Sequence, residues 1–150
     1  MTWISGTPAT ATISAAGLAT GVAVGSTNIN ATLSGVQGST ILTVTAPTLQ
    51  SIAVTPSNPS ITKGATQQFI ATDTYSDSST ENITASVTWT SGAPATATIS
   101  AGGVATGAAV GRTNISATLS GLQGSTTLTV TPAVATVTLS NLTQTYTGAL

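Results

Sequence analysis

The chain is 150 residues long, the size of one ordinary domain, yet only Lys63, Asp73, Asp77, Glu81 and Arg112 carry charge. Two scattered cations cannot displace the counterions of a phosphate backbone, which argues against nucleic-acid binding, and the lack of His and Cys removes ordinary zinc, haem and iron–sulfur sites, a thiol nucleophile, an imidazole base and disulfides. No stretch approaches the roughly 20 apolar residues of a membrane span, and MTWISGTPAT lacks the basic and apolar regions of a signal peptide, so an export signal is expected outside these residues.

Thr and Ser fill 52 positions and aromatic residues five, while Glu, Lys, Arg and Leu are scarce. Thr and Val suit pleated, half-buried strands, so an all-β protein is expected, kept wet by neutral hydroxyls. A net charge of −1 gives little repulsion between copies and favours association of like units.

The strongest signal is internal. Residues 2–46 match residues 88–132 at a constant offset of 86, without a gap, with 35 of 45 positions identical. The repeat redefines the units: 1–46 form the later part of one, 47–133 a complete one, and 134–150 the start of a third. Pro47 and Pro132–Ala133 mark the junctions, and links so short and Pro-containing predict stiffly joined neighbours.

In the first segment Trp3, Ile13, Ile29, Leu33, Leu42 and Val44 form an apolar face whose partner strands are missing from the same unit. In the complete unit period-2 alternation predicts a first strand with Ile52 and Val54 on one face, ending at Pro56-Ser57-Asn58-Pro59. Phe69 and Ala71 share the face of a second, and the polar run Asp73–Asn82 reads as a loop. Val87 and Trp89 mark a third strand, Ala97 and Ile99 a fourth, and Ile115, Ala117 and Leu119 a fifth. Leu128 and Val130 mark the last, after a hairpin turn at Gly121–Gly124. The expected core is Trp3, Trp89, Phe69, Ile99, Ile115, Leu119, Leu128 and Val130. About seven short strands around one buried Trp predict an immunoglobulin-like β-sandwich flanked by partial Ig-like units.

The run SIAVTPSNPSITKGATQQFIATDTYSDSST, followed by VTWTS, ATIS, GVATG, GRTNISATLSG and STTLTVTP, resembles the bacterial Ig-like domain, group two, over essentially all of residues 49–132. Residues 2–46 resemble the same domain from its Trp strand onward, and TLSNLTQTYTG in the tail resembles the opening of the MBG-type bacterial Ig-like repeat. The resemblance implies a non-enzymatic extracellular structural module of the kind found in adhesins, cell-surface proteins and phage structural proteins.

Signals of chemistry are few. Ser60-Ile61-Thr62-Lys63 has the Ser-x-x-Lys spacing of acyl-enzyme hydrolases, but the partner motifs are missing, so no catalytic residue is assigned. Asp73, Asp77 and Glu81 are all the side-chain carboxylates and lie within nine residues, which makes them weak calcium candidates against the plainer reading of a solvated loop. Gly17, Gly21, Gly25 and Gly103, Gly107, Gly111 recur every four residues. In strand context they predict turns and bulges with positive φ rather than a helical packing stripe.

Trp3 and Trp89 could stack on sugars, but their apolar strand faces favour a role as core plugs; Tyr75 and Tyr146 are the better candidates for exposure. Lys63 is considered for an isopeptide bond with an Asn and has no identifiable acid neighbour in the sequence. Sequons at Asn30, Asn82, Asn114 and Asn141 are expected by chance in so Thr-rich a chain.

The expected function is a spacer or display stalk at the cell surface, with no cofactor and no membrane insertion. Its partners are other Ig-like units of the same array, or other copies of the chain. An alternative is a filament subunit in which Val137 and Leu139 of the tail complete the incomplete sandwich of a neighbouring copy by strand addition, although the tail offers 17 residues where about 40 are missing. A third reading is glycan or receptor binding through the loops.

Overall fold

The computed structural model describes residues 1–138, 140 and 148; every regular element among them is a strand. The chain divides into two compact units, Met1–Thr48 and Leu49–Leu150.

The first unit holds β1 (Thr2–Ser5), β2 (Ala11–Ile13), β3 (Ala19–Gly21), β4 (Gly25–Leu33) and β5 (Val36–Val44). β1, β4 and β5 form an antiparallel sheet in that order, and β2 pairs with β3. The β4–β5 hairpin closes on Ser34-Gly35, with φ of 50° and 81°. Positive φ at both central residues matches the twist of the flanking strands, which is why a Gly stands there.

The second unit begins with β6 (Leu49–Thr55), β7 (Ser60–Thr62), β8 (Thr66–Gln68), β9 (Ile70–Tyr75) and β10 (Thr80–Asn82). It continues with β11 (Thr88–Ser91), β12 (Ala97–Ile99), β13 (Val104–Gly107), β14 (Gly111–Leu119) and β15 (Leu122–Thr131). Three sheets result, ordered β10-β9-β6, β11-β14-β15-β7 and β12-β13-β8. The Pro-bounded turn after β6 moves the chain from one sheet to another: β6 runs antiparallel to β9, whereas β7 runs parallel to β15. Main-chain bonds extend that parallel ladder at both ends, from Thr129 N–H to the Pro59 carbonyl (3.0 Å) and from Lys63 N–H to the Thr131 carbonyl (2.9 Å).

Between the sheets lies one apolar cluster that includes Ile52, Val54, Phe69, Trp89, Ile115, Leu128 and Val130. Phe69 and Trp89 meet as tilted rings with centroids 6.5 Å apart. The indole N–H of Trp89 donates to the Thr84 carbonyl at 2.9 Å, so burial of the ring leaves no orphan donor. Ile99 and Leu119 are half-buried and pack at the margin of the cluster.

Several elements differ from the sequence expectation. The second unit has ten strands rather than about seven, because β7, β8, β10 and β13 are three or four residues long and none carries a pair of apolar side chains at alternate positions, as β12 does with Ala97 and Ile99. Phe69 lies between β8 and β9, and its N–H donates to the Gly103 carbonyl at 2.8 Å. The β14–β15 turn is Ser120-Gly121 alone, and Gly124 belongs to β15.

The two units put one sequence into two environments. Ile29 is buried like its counterpart Ile115. Trp3, Ile13, Leu42 and Val44 are only half-buried, whereas Trp89, Leu128 and Val130 are buried. Leu33 is 59% exposed and Val36 75% exposed, while their counterparts Leu119 and Leu122 pack against the core of the second unit. The second unit covers those positions with strands that precede its Trp, and the first unit has no such strands.

Candidate functional site

The run Asp73–Asn82 is not a loop. It is the β9–β10 hairpin, in which Glu81 pairs in register with Asp73 and the turn occupies residues 76–79. Alternation along β9 turns Ala71 and Asp73 inward, and both are buried. The reading of Asp73 as solvated is therefore corrected: it lies on the inner face of a strand.

One carboxylate oxygen of Asp73, Oδ1, accepts the Glu81 N–H at 2.8 Å, whereas Oδ2 is buried with no hydrogen-bond partner. Tyr75, two residues along the same face, is half-buried. Its hydroxyl is held above the ordinary phenol range chiefly by the Asp73 carboxylate beside it, with burial and the Glu81 charge adding to the effect. Asp77 stands apart in the turn, where its Oδ1 accepts the Ser79 hydroxyl at 2.6 Å and the Ser79 N–H at 3.0 Å. These bonds hold its carboxyl below the usual carboxylate range. Among the described residues no three acidic side chains converge as a metal cluster.

The other sequence candidates are dispersed. Ser60 is exposed on β7, and Lys63 is exposed in the turn that follows. Of the repeated glycines, Gly103 has φ +79°, and a Cβ there would meet the Phe69 carbonyl oxygen at 2.7 Å. Gly107 serves differently: it lies within β13, and a Cβ would press on Val130 at 3.0 Å, so close packing rather than positive φ requires it. Val137 is 83% exposed and in no strand; Leu139, Tyr146 and the Asn141 sequon lie outside the described residues.

The outer face of the β11-β14-β15-β7 sheet was not singled out from sequence. Its cross-strand ranks read Thr88–Thr118–Gln123, Thr90–Ser116–Ser125 and Arg112–Thr129–Ser60, a hydroxyl and amide surface with one charge. On it, Gly92, Ala93, Arg112, Thr113, Asn114 and Thr127 line a shallow cleft of about 300 Å³. The equivalent cleft of the first unit, about 330 Å³, is lined by Gly6, Thr7, Ser26, Thr27, Asn28 and Ile41. Three of the ten differences between the repeats (Thr7 to Ala93, Ser26 to Arg112, Ile41 to Thr127) fall on these six positions, and that was the available signal. Both clefts rest on the same buried threonine: Thr113 Oγ1 accepts the Ala93 N–H and Thr27 Oγ1 the Thr7 N–H, each at 2.8 Å.

Short antiparallel strands, one parallel edge pairing and a Trp-centred core define an immunoglobulin-like β-sandwich. The chain belongs to the bacterial Ig-like domain (group 2) family, whose model matches residues 1–44 and 48–131. It is 47% identical over 133 residues to "Ice-binding protein 1" of Shewanella frigidimarina (strain NCIMB 400), covering 89% of this chain and 15% of that protein. Among solved structures it resembles the S-layer protein rSbsC, with a TM-score of 0.59 and 23% identity over 91% of this chain and 20% of the other. A two-domain piece, "S-layer protein SbsC domains 4 and 5", matches with a TM-score of 0.53 and 24% identity over 86% of this chain and 69% of that one. At these identities the structural likeness speaks to the fold. The chain spans about a seventh of the curated relative it matches.

Proposed function

We propose that the chain is a non-enzymatic structural segment of a cell-surface or extracellular protein, a run of Ig-like units that sets distance and orientation for whatever is joined to it. The observation that carries this reading is the 86-residue repeat, matched twice by one family model, in which the Trp3/Trp89, Ile29/Ile115 and Leu42/Leu128 pairs recur unchanged while none of the ten differing positions is buried in either unit. Repeat units of this kind add length by adding copies. The name of the 47% identical relative says that it binds ice, and the shared stretch is 15% of that protein. We assign the stretch a supporting role in such a protein. Chains carrying one, two and three further copies of residues 47–132 are expected to lengthen by a constant increment per copy in small-angle X-ray scattering, and the 150-residue chain is expected to be inactive in an ice-recrystallisation assay. Collapse of the longer chains into compact particles, or ice activity of the chain alone, would reject the supporting role.

The filament reading is favoured by the open face of the first unit, on which Leu33 and Val36 are exposed and a Cβ at Gly38 would meet nothing within 4 Å. Concentration-dependent fibres by negative-stain microscopy, lost on deleting residues 134–150, would support it. Monomers at every concentration would remove it.

A further inference from the structure

We propose that the open face of the first unit is a docking site for an extended segment of another chain with the chemistry of residues 49–69: an Ile and a Val two residues apart, a Pro-bounded turn, a short strand and an inward Phe. The proposal goes beyond the spacer reading and does not involve the tail. The second unit shows what this surface takes, since the two units share 35 of 45 aligned residues and differ at no buried position. There, five main-chain bonds tie the segment to β13 and β15. The Phe69 N–H donates to the Gly103 carbonyl (2.8 Å), the Gly107 N–H to the Ala65 carbonyl (3.0 Å) and the Gly64 N–H to the Gly107 carbonyl (2.8 Å). The Thr129 N–H and the Thr131 carbonyl engage Pro59 and Lys63. The first unit carries the same groups on Gly17, Gly21, Thr43 and Thr45, but among the described residues β3 and β5 are sheet edges with no strand beside them on that side. Such an edge is a template for a further strand.

Side chains repeat the pattern. Ile52, Val54 and Phe69 are buried in the second unit with Leu119 and Leu122 packed against their cluster, whereas Leu33 and Val36, at the places of those two leucines, are exposed. A glycine inside a strand weakens it and marks the close approach of another backbone. Gly124 admits the main chain of Ile52 where a Cβ would collide, and Gly38 holds the same notch open, with nothing within 4 Å of a Cβ. The chain's own residues 49–69 are already packed on the second unit, so the occupant of the first comes from another chain. The segment carries one charge, Lys63, and the first unit has no charged side chain, so apolar burial and main-chain pairing hold the complex rather than ion pairs. Salt therefore has little to screen.

The test is titration calorimetry and amide NMR of the 150-residue chain with a synthetic peptide of residues 49–69. Binding is expected at low and high salt alike, with amide shifts at β3, β5 and Gly17. Gly38→Ala leaves the unfolding of the free chain unchanged and is expected to weaken the peptide roughly tenfold or more, because the added methyl meets a backbone carbonyl that cannot step aside. A peptide carrying Ile52→Asp is expected not to bind, and deletion of residues 134–150 to leave the affinity of the native peptide unchanged. The proposal is overturned if the peptide does not bind, if Gly38→Ala binds it as the native chain does, or if the shifts fall within residues 88–131. Binding that appears only after deletion of 134–150 also overturns it and assigns the groove to the tail of a second copy, so this proposal and the filament reading fail separately.

Discussion

Gly124 lies against the main chain of Ile52 so closely that a Cβ at Gly124 would collide with the Ile52 carbonyl. Gly38, which stands at the same place in the repeat, has nothing within 4 Å of the same imaginary atom. Gly124→Ala is therefore expected to destabilise the second unit by about 1–3 kcal/mol or more, because a backbone neighbour cannot step aside as a side chain can. Gly38→Ala is expected to stay within about 0.5 kcal/mol of neutral, as surface substitutions do. Urea unfolding followed by Trp89 fluorescence in a Trp3→Phe background reads the first variant. Trp3 fluorescence in a Trp89→Phe background reads the second.

Leu128 and Leu42 make a second matched pair. Leu128 is fully buried and Leu42 half-buried. Leu128→Ala is expected to cost about 2–5 kcal/mol, the range for a buried Leu that leaves a cavity, and Leu42→Ala less than half as much. Equal losses in denaturant midpoint would show that the first unit is as tightly enclosed as the second.

Thr113 tests the polar side of packing. Its buried hydroxyl is the acceptor for the Ala93 N–H and shares a hydrogen bond with Ser91 Oγ at 3.0 Å. Thr113→Val keeps the shape and removes the acceptor, so about 1–3 kcal/mol is expected to be lost, and Thr113→Ser is expected to recover most of it. Chemical denaturation of the three proteins checks the order.

Asp77 gives the acid-side expectation. A carboxyl held below its unfolded value of 3.8 contributes stability above that pH and loses the contribution as pH falls through the depressed folded value. Ser79→Ala removes the hydroxyl bond and is expected to move the Asp77 titration upward toward 3.8, as followed by NMR of its carboxyl carbon. An unchanged titration would mean that the hydroxyl bond does not set the shift.

The architecture was legible because Ile52 and Val54, Ile115 and Ala117, and Leu128 and Val130 alternate on strands long enough to show a period of two, because the buried Val87, just before β11, continues the alternation of Trp89, and because the repeat supplied the unit. What was hidden had physical causes. Phe69 falls between two short strands, so its inward direction comes from the Gly103 contact rather than from alternation. Asp73 was placed in a solvated loop because charge normally seeks water, and only the partnership of β9 with β6 on one side and β10 on the other shows it enclosed. The cleft around Thr113 joins residues about 20 apart in sequence, and no local motif links them.

The parallel pairing of β7 with β15 bears on how the second unit carries tension. The second strand of the unit and its last are neighbours running the same way, in register at Thr129–Ser60, Val130–Ile61 and Thr131–Thr62. Tension that passes through β6 into β7 therefore slides it along β15. The three register pairs, with the flanking bonds to Pro59 and from Lys63, are loaded together in shear instead of being unzipped one at a time.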